Sequence, residues 1–179
     1  MASSSLPITL QRVVEPFGPH RLCGRVVVGF QRGSKQLGWP TANLDPAAFE
    51  SKFDAETEGV YVGWAAINDP TLPAEARVVH KAVLSMGWNP TYTDVKQRTI
   101  EAYLCHDFKG RDFYGAEMKL MICAFLRPQL KFDSFADLIK AITDDVSFGK
   151  EALDSPSLAI LQEDSFFNST TPVSSSTTS

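Results

Sequence analysis

The sequence predicts a mainly β protein: a closed, antiparallel, six-stranded Greek-key barrel with one C-terminal amphipathic helix packed against it. Short stretches rich in β-branched and aromatic residues recur along most of the chain, separated by glycine, proline and asparagine. One stretch with helical periodicity follows them, and no second βαβ unit is found. Short strands with turn signals and a late helix are typical of a small barrel that closes to hide its edges.

The strands are predicted from apolar stretches that turn residues separate. Within 98–108, Thr99, Glu101 and Tyr103 share one face, while the residues between them share the other. The last stretch is apolar on both faces, as expected for a strand between the barrel interior and a covering element. Gly87 and the Asn-Pro pair at 89–90 predict a turn after the third stretch. These signals locate five of the six strands, at 22–28, 59–67, 78–86, 98–108 and 117–126.

The covering element is predicted to be a helix that begins near residue 135. Asp133 or Ser134 can serve as its N-cap, and Asp137 lies in the first turn. The apolar residues of this stretch recur at helical spacing and therefore form one face. They are Phe135, Leu138, Ile139, Ile142 and Val146.

The chain divides into three predicted parts. Residues 1–20 contain three prolines, which discourage regular structure, and are expected to form an N-terminal extension. Residues 21–167 are expected to form the barrel domain with its helix. Residues 168–179 are dominated by serine and threonine without an apolar pattern, which predicts a disordered tail.

Composition narrows the possible functions. The 179 residues fit one globular domain, with 44% apolar and 21% charged residues. A net charge of −4 argues against a general nucleic-acid binder, which needs a broad basic face. Cys23, Cys105 and Cys123 form no Cys-x-x-Cys pair, so neither a disulfide framework nor a zinc site is indicated. With no secretory or membrane-spanning stretch, these features predict a cytoplasmic protein.

The stretch 29–44 has the composition of a phosphate-binding loop. Its glycines let the backbone turn with positive φ, so that successive N–H groups can point at one anion. Arg32 and Lys35 add positive charge. Thr41 and Asn43 lie two residues apart, so on an extended backbone both side chains point to one face. A hydroxyl and an amide carbonyl are hard oxygen donors suited to Mg²⁺.

Spacing alone leaves open both the role of this loop and the identity of a catalytic base. The loop matches neither the Walker A pattern nor Gly-x-Gly-x-x-Gly, and such a stretch is more often a long surface hairpin loop. Phosphoryl transfer to an alcohol also needs a base or an orienting group. Glu101 is one candidate, and the other carboxylates have no less claim from composition. They are Asp54, Glu58, Asp94 and Asp112.

Several motifs, in order, resemble the riboflavin kinase (flavokinase) family, whose members phosphorylate riboflavin with ATP to give FMN. The first are Gly-Arg-Val-Val-Val-Gly-Phe, Arg-Gly-Ser-Lys-Gln-Leu-Gly and Pro-Thr-Ala-Asn, all within 24–43. Gly-Trp-Asn-Pro-Thr-Tyr at 87–92, the pair Ile100-Glu101 and the segment 126–133 follow. The resemblance covers about residues 22–148. It implies the barrel with its helix and a monofunctional, eukaryotic type of riboflavin kinase.

The resemblance also implies site residues. Glu101 matches the catalytic glutamate, which accepts the proton of the riboflavin 5′-hydroxyl. Thr41 and Asn43 match ligands of both the nucleotide and its metal, and relatives often carry lysine where this chain has Leu130. The other nucleotide-binding residues that it implies are Gly29, Lys35, Leu104, His106 and Tyr114. The flavin-binding residues that it implies are Arg127, Leu130 and Phe132.

The implied metal is Mg²⁺, although oxygen donors and phosphates also accept Zn²⁺ or Mn²⁺. ATP is the implied phosphate donor, and the expected partners are riboflavin or FMN and ATP or ADP, bound by a monomer that contacts no nucleic acid or membrane. Two other classes of function stay open: a non-catalytic flavin-binding barrel and a barrel that serves only as an interaction module. The N-terminal extension, the loop at 70–76 and the C-terminal tail depart from the family, and none is expected to touch the site.

Overall fold

The protein, described by a computed structural model over residues 10–29, 41–54, 57–90 and 96–169, is a six-stranded barrel. Within those residues, no helix is both long and apolar enough to cross a membrane. The strands are β1 Glu15–Val27, β2 Thr41–Leu44, β3 Gly59–Asn68, β4 His80–Pro90, β5 Lys96–Leu104 and β6 Glu117–Arg127. They close in the order β1-β2-β5-β4-β3-β6, every pair antiparallel, which confirms the predicted fold class.

Each strand of the barrel faces two environments, because successive side chains alternate between its faces. On β5, Ile100 and Ala102 belong to the buried apolar core, while Glu101 between them lies on the outer face. Strands β4 and β5 pair so that Leu84 lies opposite Ala102 and Ser85 lies opposite Glu101. Directly opposed residues of an antiparallel pair share a face. The middle of the interior is therefore apolar, and the alternate residues of the same strands lie outside.

Strand β1 closes the ring by pairing with β2 on one side and β6 on the other. It begins at Glu15 and not at residue 22 as predicted, so the predicted domain boundary after residue 20 falls within it. The prolines that argued against a strand are accommodated at an irregularity in the pairing between Pro16 and His20. Gly18 lies there with a φ of +104°, a conformation that glycine adopts without strain.

Two other predicted strand boundaries were wrong. Strand β4 runs through the predicted turn as far as Pro90, because these residues pair with β5 back to Lys96. Strand β5 ends at Leu104 instead of residue 108. Residues 41–44, for which the sequence left the backbone conformation open, form strand β2. In each case the partner strand decides where pairing stops, and local turn signals do not.

The long helix α1, Phe135–Ala152, covers part of the outer face of the barrel and confirms the predicted helix. Ser134 is its N-cap: the serine hydroxyl accepts a hydrogen bond from the Asp137 amide at 3.1 Å. This cap fixes where the helix starts, directly after the segment that follows β6.

Helix α1 meets the barrel closely at its C-terminal end and loosely at its N-terminal end. At Gly149 a Cβ would lie 2.6 Å from Val62 and 2.9 Å from Val83, so only glycine permits this approach. At the other end, Phe135 keeps 53% of its surface exposed. The helix therefore leaves a space between its N-terminal half and the sheet.

After α1 the chain crosses the rest of the outer face as a short helix and two 3₁₀ turns. The Trp64 indole on β3 donates a hydrogen bond to the Leu158 carbonyl at 2.9 Å. The buried Lys119 on β6 donates to the Phe166 carbonyl at 3.0 Å. These contacts hold the segment against the sheet. The short helix α2 is Pro156–Ala159, and the 3₁₀ turns are Pro46–Ala48, Ala74–Ala76, Ile160–Glu163 and Ser165–Phe167.

Candidate active site

A cavity of about 290 Å³ lies outside the barrel, between the sheet and helix α1. Its sheet wall includes Thr41, Ser85 and Glu101 from β2, β4 and β5. Its helix wall includes Leu138 and Ile142, and the segment after β6 forms a third side. The cavity is close to the lower end of the size range of small-molecule pockets, about 300–1,000 Å³.

A hydroxyl and a carboxylate meet on the sheet wall. The Thr41 hydroxyl donates a hydrogen bond to Glu101 Oε1, and both side chains are half-buried. The register of the sheet produces this contact, because Thr41 lies opposite Tyr103 and Asn43 lies opposite Glu101. All four residues share the outer face. The structure thus brings Thr41, Asn43 and Glu101 together, although 60 positions separate the threonine from the glutamate.

Gly29, at the start of the glycine-rich loop, lies against the side chain of Asn43. A Cβ at this position would lie 2.6 Å from Asn43 Cγ, so any larger residue would displace the asparagine amide. The beginning of the loop therefore adjoins the Thr41–Asn43 strand. Lys35, also predicted to bind nucleotide, lies outside the described residues.

The helix wall of the cavity is apolar. Leu138, Ile142 and Val146 line it, and each is half-buried. Tyr103 also lines the cavity, and burial raises the pKa of its phenol above the ordinary value of 10. An apolar wall opposite hydrogen-bonding groups suits a flat ligand that is apolar on its faces and polar at its edges.

The last residue of β6, Arg127, and two residues of the segment after it, Leu130 and Phe132, line the same cavity, and all three were predicted to bind flavin. The Gln129 amide ties this segment to β4 by donating to the Met86 carbonyl at 2.9 Å. The guanidinium carbon of Arg127 lies 5.9 Å from the centre of the Phe132 ring, within cation–π distance. Leu130 keeps 46% of its surface exposed.

A buried carboxylate that the sequence analysis did not identify holds Arg127. Asp145 of α1 accepts hydrogen bonds from Arg127, the shortest at 2.6 Å from Nη2, while Arg127 Nη1 donates to the Pro128 carbonyl at 2.8 Å. Asp145 also accepts from Arg12 Nε at 2.7 Å, and Arg12 Nη2 donates to the Ala141 carbonyl at 3.1 Å. Arg12 belongs to the N-terminal extension. It does not line the cavity itself and reaches it only through Asp145, so the expectation that the extension does not touch the site stays a prediction.

Asp145, Arg12 and Ser85 were not predicted from the sequence as site residues. Of the three, only Asp145 lies in a sequence pattern that could have identified it. Helical spacing puts it between Ile142 and Gly149 on the apolar face of α1, where an aspartate needs a partner. Arg12 lies in a stretch without periodicity. Ser85 reaches the sheet wall only because of the register between β4 and β5, which a single sequence does not reveal.

Five of the described residues predicted to bind nucleotide do not line this cavity: Gly29, Asn43, Leu104, His106 and Tyr114. Leu104 is 1% exposed and belongs to the barrel core, which leaves its backbone as the part that can meet a ligand. The His106 ring stacks on His80, with 4.3 Å between the ring centres. Tyr114 is 43% exposed.

Glu101 lines the cavity, whereas the other described carboxylates that the sequence offered as candidate bases do not. Asp54, Glu58 and Asp112 are exposed, and none of them lines the cavity. Asp94 lies outside the described residues. The other carboxylate at the cavity is already paired with two arginines.

The oxygen donors that β2 and β5 bring together suit a metal that arrives with a nucleotide. Within the described ranges, no group of three or more histidine, cysteine, aspartate or glutamate side chains could hold a metal ion. The Thr41 hydroxyl, the Asn43 amide oxygen and the Glu101 carboxylate are hard oxygen donors. Mg²⁺ accepts such donors and usually takes the rest of its shell from phosphates and water. These residues therefore fit a metal–nucleotide complex better than a resident metal centre.

Comparisons with known proteins converge on one family. The flavokinase family model, described as riboflavin kinase, matches residues 17–153. The riboflavin kinase of Mus musculus is 42% identical over 80% of this chain and 87% of its own length. A bifunctional riboflavin kinase/FMN phosphatase of Arabidopsis thaliana is 42% identical over 84% of this chain, a match that spans only 38% of that relative. The crystal structure of riboflavin kinase from Trypanosoma brucei is 29% identical, with a TM-score of 0.63 over 89% of this chain and 93% of that one.

Proposed function

This chain belongs to the riboflavin kinase family, and from that premise we propose that it transfers the γ-phosphoryl group of ATP to the riboflavin 5′-hydroxyl, forming FMN and ADP. Beyond family membership, the observation that carries the proposal is the contact between Thr41 and Glu101 on the wall of a cavity whose opposite wall is apolar. Phosphoryl transfer to an alcohol needs a positioned hydroxyl, a base and a place for the metal–nucleotide complex. This arrangement offers groups for each requirement.

Glu101 is assigned the role of base. Its carboxylate accepts the proton of the 5′-hydroxyl while the hydroxyl oxygen bonds to the γ-phosphorus and the bond to the bridging oxygen of ADP breaks. The Thr41 hydroxyl donates to Oε1, which leaves Oε2 for the substrate. A positioned base contributes roughly 10²- to 10⁴-fold in rate. Because an alcohol proton leaves late in a loose transition state, Glu101 also contributes by orienting the hydroxyl.

Thr41 and Asn43 are assigned to the divalent metal that accompanies the nucleotide. The Thr41 hydroxyl donates its proton to Glu101, so its oxygen keeps its lone pairs for a cation. When bound, the metal neutralises charge on the β- and γ-phosphates. Mg²⁺ is the proposed ion, and the same oxygen donors also accept Zn²⁺ or Mn²⁺.

The nucleotide is assigned to the end of the barrel beside the cavity. Gly29 and Lys35 belong to the glycine-rich loop, while Leu104 and His106 lie at and just after the end of β5. Tyr114 comes close to the same end, because the amide that follows it donates to the β1 backbone at 2.8 Å. Backbone N–H groups of a glycine-rich loop can bind phosphate oxygens there.

The flavin ring is assigned to the cavity itself. Its faces would pack between the apolar wall of α1 and the sheet, and Arg127, Leu130 and Phe132 would meet its edge. This orientation directs the ribityl chain, which carries the 5′-hydroxyl, toward Glu101. Flat heterocycles with polar edges are typically bound between an apolar wall and a few hydrogen-bonding groups.

We propose that the kinase unit spans residues 21–167, lengthened toward the N-terminus by the rest of β1, and acts as a monomer in the cytoplasm. The three cysteines are free thiols, which suits a reducing compartment. Burial raises the pKa of Cys105 to about 11 and that of Cys123 to about 12, so both thiols stay protonated and unreactive near pH 7. Size-exclusion chromatography with light scattering tests the oligomeric state.

The decisive experiment follows FMN formation from riboflavin, ATP and Mg²⁺ by the wild type, Glu101→Gln and Asn43→Ala. We expect Glu101→Gln to lose roughly 10²- to 10⁴-fold in kcat while it still binds ADP. Asn43→Ala should raise the KM for ATP. Glu151→Gln, an exposed change of the same chemistry on α1, is the matched control and should leave both constants unchanged.

Two results would replace this proposal. A wild type that binds flavin but makes no FMN with Mg²⁺, Mn²⁺ or Zn²⁺ would be a flavin-binding module. A chain whose melting temperature shifts with neither riboflavin nor ADP and Mg²⁺ would be an interaction module, because a ligand that binds only the folded state stabilises it.

A further inference from the structure

The segment that precedes the barrel contributes a charged side chain, Arg12, that contacts a residue of the cavity wall. Arg12 lies before β1 and before residue 17, where the match to the family model begins. The neighbouring Val13 amide donates to the Leu126 carbonyl at the end of β6 at 2.9 Å, which fixes this segment to the sheet. Only 11% of the Arg12 side chain is exposed. A guanidinium this buried requires a partner of opposite charge.

That partner is Asp145, whose side chain is 3% exposed and which Arg12 shares with Arg127. Arg12 Nε lies 2.7 Å from Asp145 Oδ1, and Arg127 Nη2 lies 2.6 Å from Oδ2. The preceding residue, Asp144, is 41% exposed; Lys140 binds it at 2.8 Å, and Arg12 Nη2 lies 4.0 Å from its Oδ2. One buried carboxylate therefore binds two guanidinium groups, and both of them contact its Oδ1.

The contacts of Arg127 leave part of its guanidinium available. Of its five N–H groups, Nε–H and one on Nη2 donate to Asp145, and one on Nη1 donates to the Pro128 carbonyl. Five less three leaves two N–H groups on a side chain that lines the cavity. A rigid guanidinium with spare donors suits the carbonyl oxygens and ring nitrogens of a flat heterocycle.

We propose that Arg12 and Asp145 are positioning residues for the flavin: Asp145 fixes the guanidinium of Arg127, and Arg12 fixes Asp145. Arg12 also holds the turn of α1 that carries the apolar wall, through its hydrogen bond to the Ala141 carbonyl at 3.1 Å. The proposal rests on the proposed function, since it assumes that flavin occupies the cavity. Asp145 lies on the helix wall and Glu101 on the sheet wall, and Arg12 reaches the cavity only through Asp145, so both residues act on flavin affinity and not on the transfer step.

The test is the affinity for riboflavin, measured by quenching of flavin fluorescence in the presence of ADP and Mg²⁺. We expect Arg12→Gln to raise the Kd, and in turnover the KM, for riboflavin by roughly 3- to 30-fold, a size typical of coupled neighbours in one network. Its kcat and ADP affinity should stay within about twofold of the wild type, as expected when only substrate binding is weakened. Arg12→Lys should recover part of the affinity, because lysine keeps the charge but not the planar fork.

A matched control separates this effect from the general loss of an ion pair. Arg21 donates to Asp164 at 2.5 Å on the outside of the barrel, and neither residue lines the cavity. Arg21→Gln therefore removes an arginine–aspartate pair that is more exposed than Arg12–Asp145, and it should leave the riboflavin Kd unchanged. All variants are compared below their melting temperatures, so that only folded protein is measured.

The proposal is overturned if Arg12→Gln lowers the melting temperature but binds riboflavin as tightly as the wild type. Asp145→Asn should weaken binding at least as much as Arg12→Gln, and if that variant does not fold, the two Arg12 variants decide the question. Because the titration reads binding and not turnover, the two proposals fail separately. Weakened flavin binding by Arg12→Gln in a chain that makes no FMN would count against the enzyme and for the positioning role.

Discussion

The inside and the outside of the barrel are built from the same strands but do different work. Inside, the side chains of β4 and β5 are packed without exposure, as at Leu84, Ile100 and Ala102. Outside, the alternate residues of these strands face helix α1 across a cavity of about 290 Å³. Ile100 and Glu101 are neighbours in the chain, yet one is fully buried in the core and the other lines the cavity.

This difference shows how a small domain combines stability with an open site. Alternation along a strand assigns packing to one face and chemistry to the other, so the polar residues do not interrupt the core. Hydrogen bonding within the closed sheet holds Thr41, Asn43 and Glu101 in register. The opposite wall is a helix that packs against the sheet through side chains and takes no part in the strand pairing. Stability and catalysis should therefore respond to different substitutions.

The largest effect on stability is expected from Ile100→Ala, inside the barrel. Removing most of a fully buried side chain leaves a space that the closed sheet cannot easily fill, at a cost of about 2–5 kcal/mol in the free energy of unfolding. The kcat at low temperature should stay close to that of the wild type. Urea denaturation and FMN assays on the same samples measure both quantities.

The neighbouring change Glu101→Gln is the counterpart of Ile100→Ala. It should leave the free energy of unfolding within about 0.5 kcal/mol of the wild type, as is usual for changes away from the core, while activity falls. A stability loss as large as that of Ile100→Ala would contradict the division of labour between the two faces.

A smaller effect is expected where the two regions touch, at Gly149→Ala. The new Cβ would lie 2.6 Å from Val62, a side chain too stiff to yield easily. Overpacking costs about 1–3 kcal/mol, which outweighs the gain of about 1 kcal/mol in helix propensity. Because the new Cβ should displace α1, which forms one wall of the cavity, this variant should also bind riboflavin several-fold more weakly.

Shortening the facing side chain provides the control for this substitution. Adding Val62→Ala to Gly149→Ala should recover riboflavin affinity, because it restores room for the helix. Ser147→Ala, at an exposed position of α1, should change neither stability nor affinity. If the double variant binds no better than Gly149→Ala, the close approach at this position does not set the width of the cavity.

The smallest effect on stability is expected from protonation of the buried His80 side chain at low pH. His80 is 9% exposed, and burial lowers its pKa below 6.5, more than its hydrogen bond to the Ala76 carbonyl raises it. The unfolded chain thus takes up a proton at higher pH than the folded one. The stability from the neutral ring is present above about pH 6.5 and is lost as the pH falls toward the lowered value.

Thermal melts between pH 8 and 5 test this expectation. The melting temperature of the wild type should fall with pH more steeply than that of His80→Gln, whose amide can still donate to Ala76 but does not titrate. Equal slopes for the two proteins would show that His80 does not contribute to the acid sensitivity.

Local patterns were sufficient to predict the fold class, the helix and several strand positions. The helical spacing from Phe135 to Val146 and the alternation around Glu101 depend on neighbours in sequence, and the structure has both. The start of β1 and the end of β4 depend on pairing with distant strands, so local proline and glycine signals misplaced them.

The candidate site divides in the same way. Motifs pointed to Thr41, Glu101 and Arg127, and the structure gathers these at one cavity, while their roles remain predictions. Arg12 was missed because its contact with Asp145 spans 133 positions and no motif marks it. An ion pair between distant segments produces no periodic pattern in a single sequence. The only indication of this pair was an aspartate on the apolar face of a predicted helix.

The position of β1 in the ring also bears on how the chain folds. Glu15 of β1 lies opposite Phe125 of β6. Strand β1 is therefore synthesised before the other strands of the barrel, but it can pair with β6 only after that last strand has been synthesised. Pairings this distant are slow to form, and barrels rich in them fold in milliseconds to seconds. Until β6 arrives, β1 has an unpaired edge that can join a strand of another chain. Aggregation during synthesis should therefore depend on how long the edge of β1 stays unpaired, even though this edge is paired with β6 in the folded barrel.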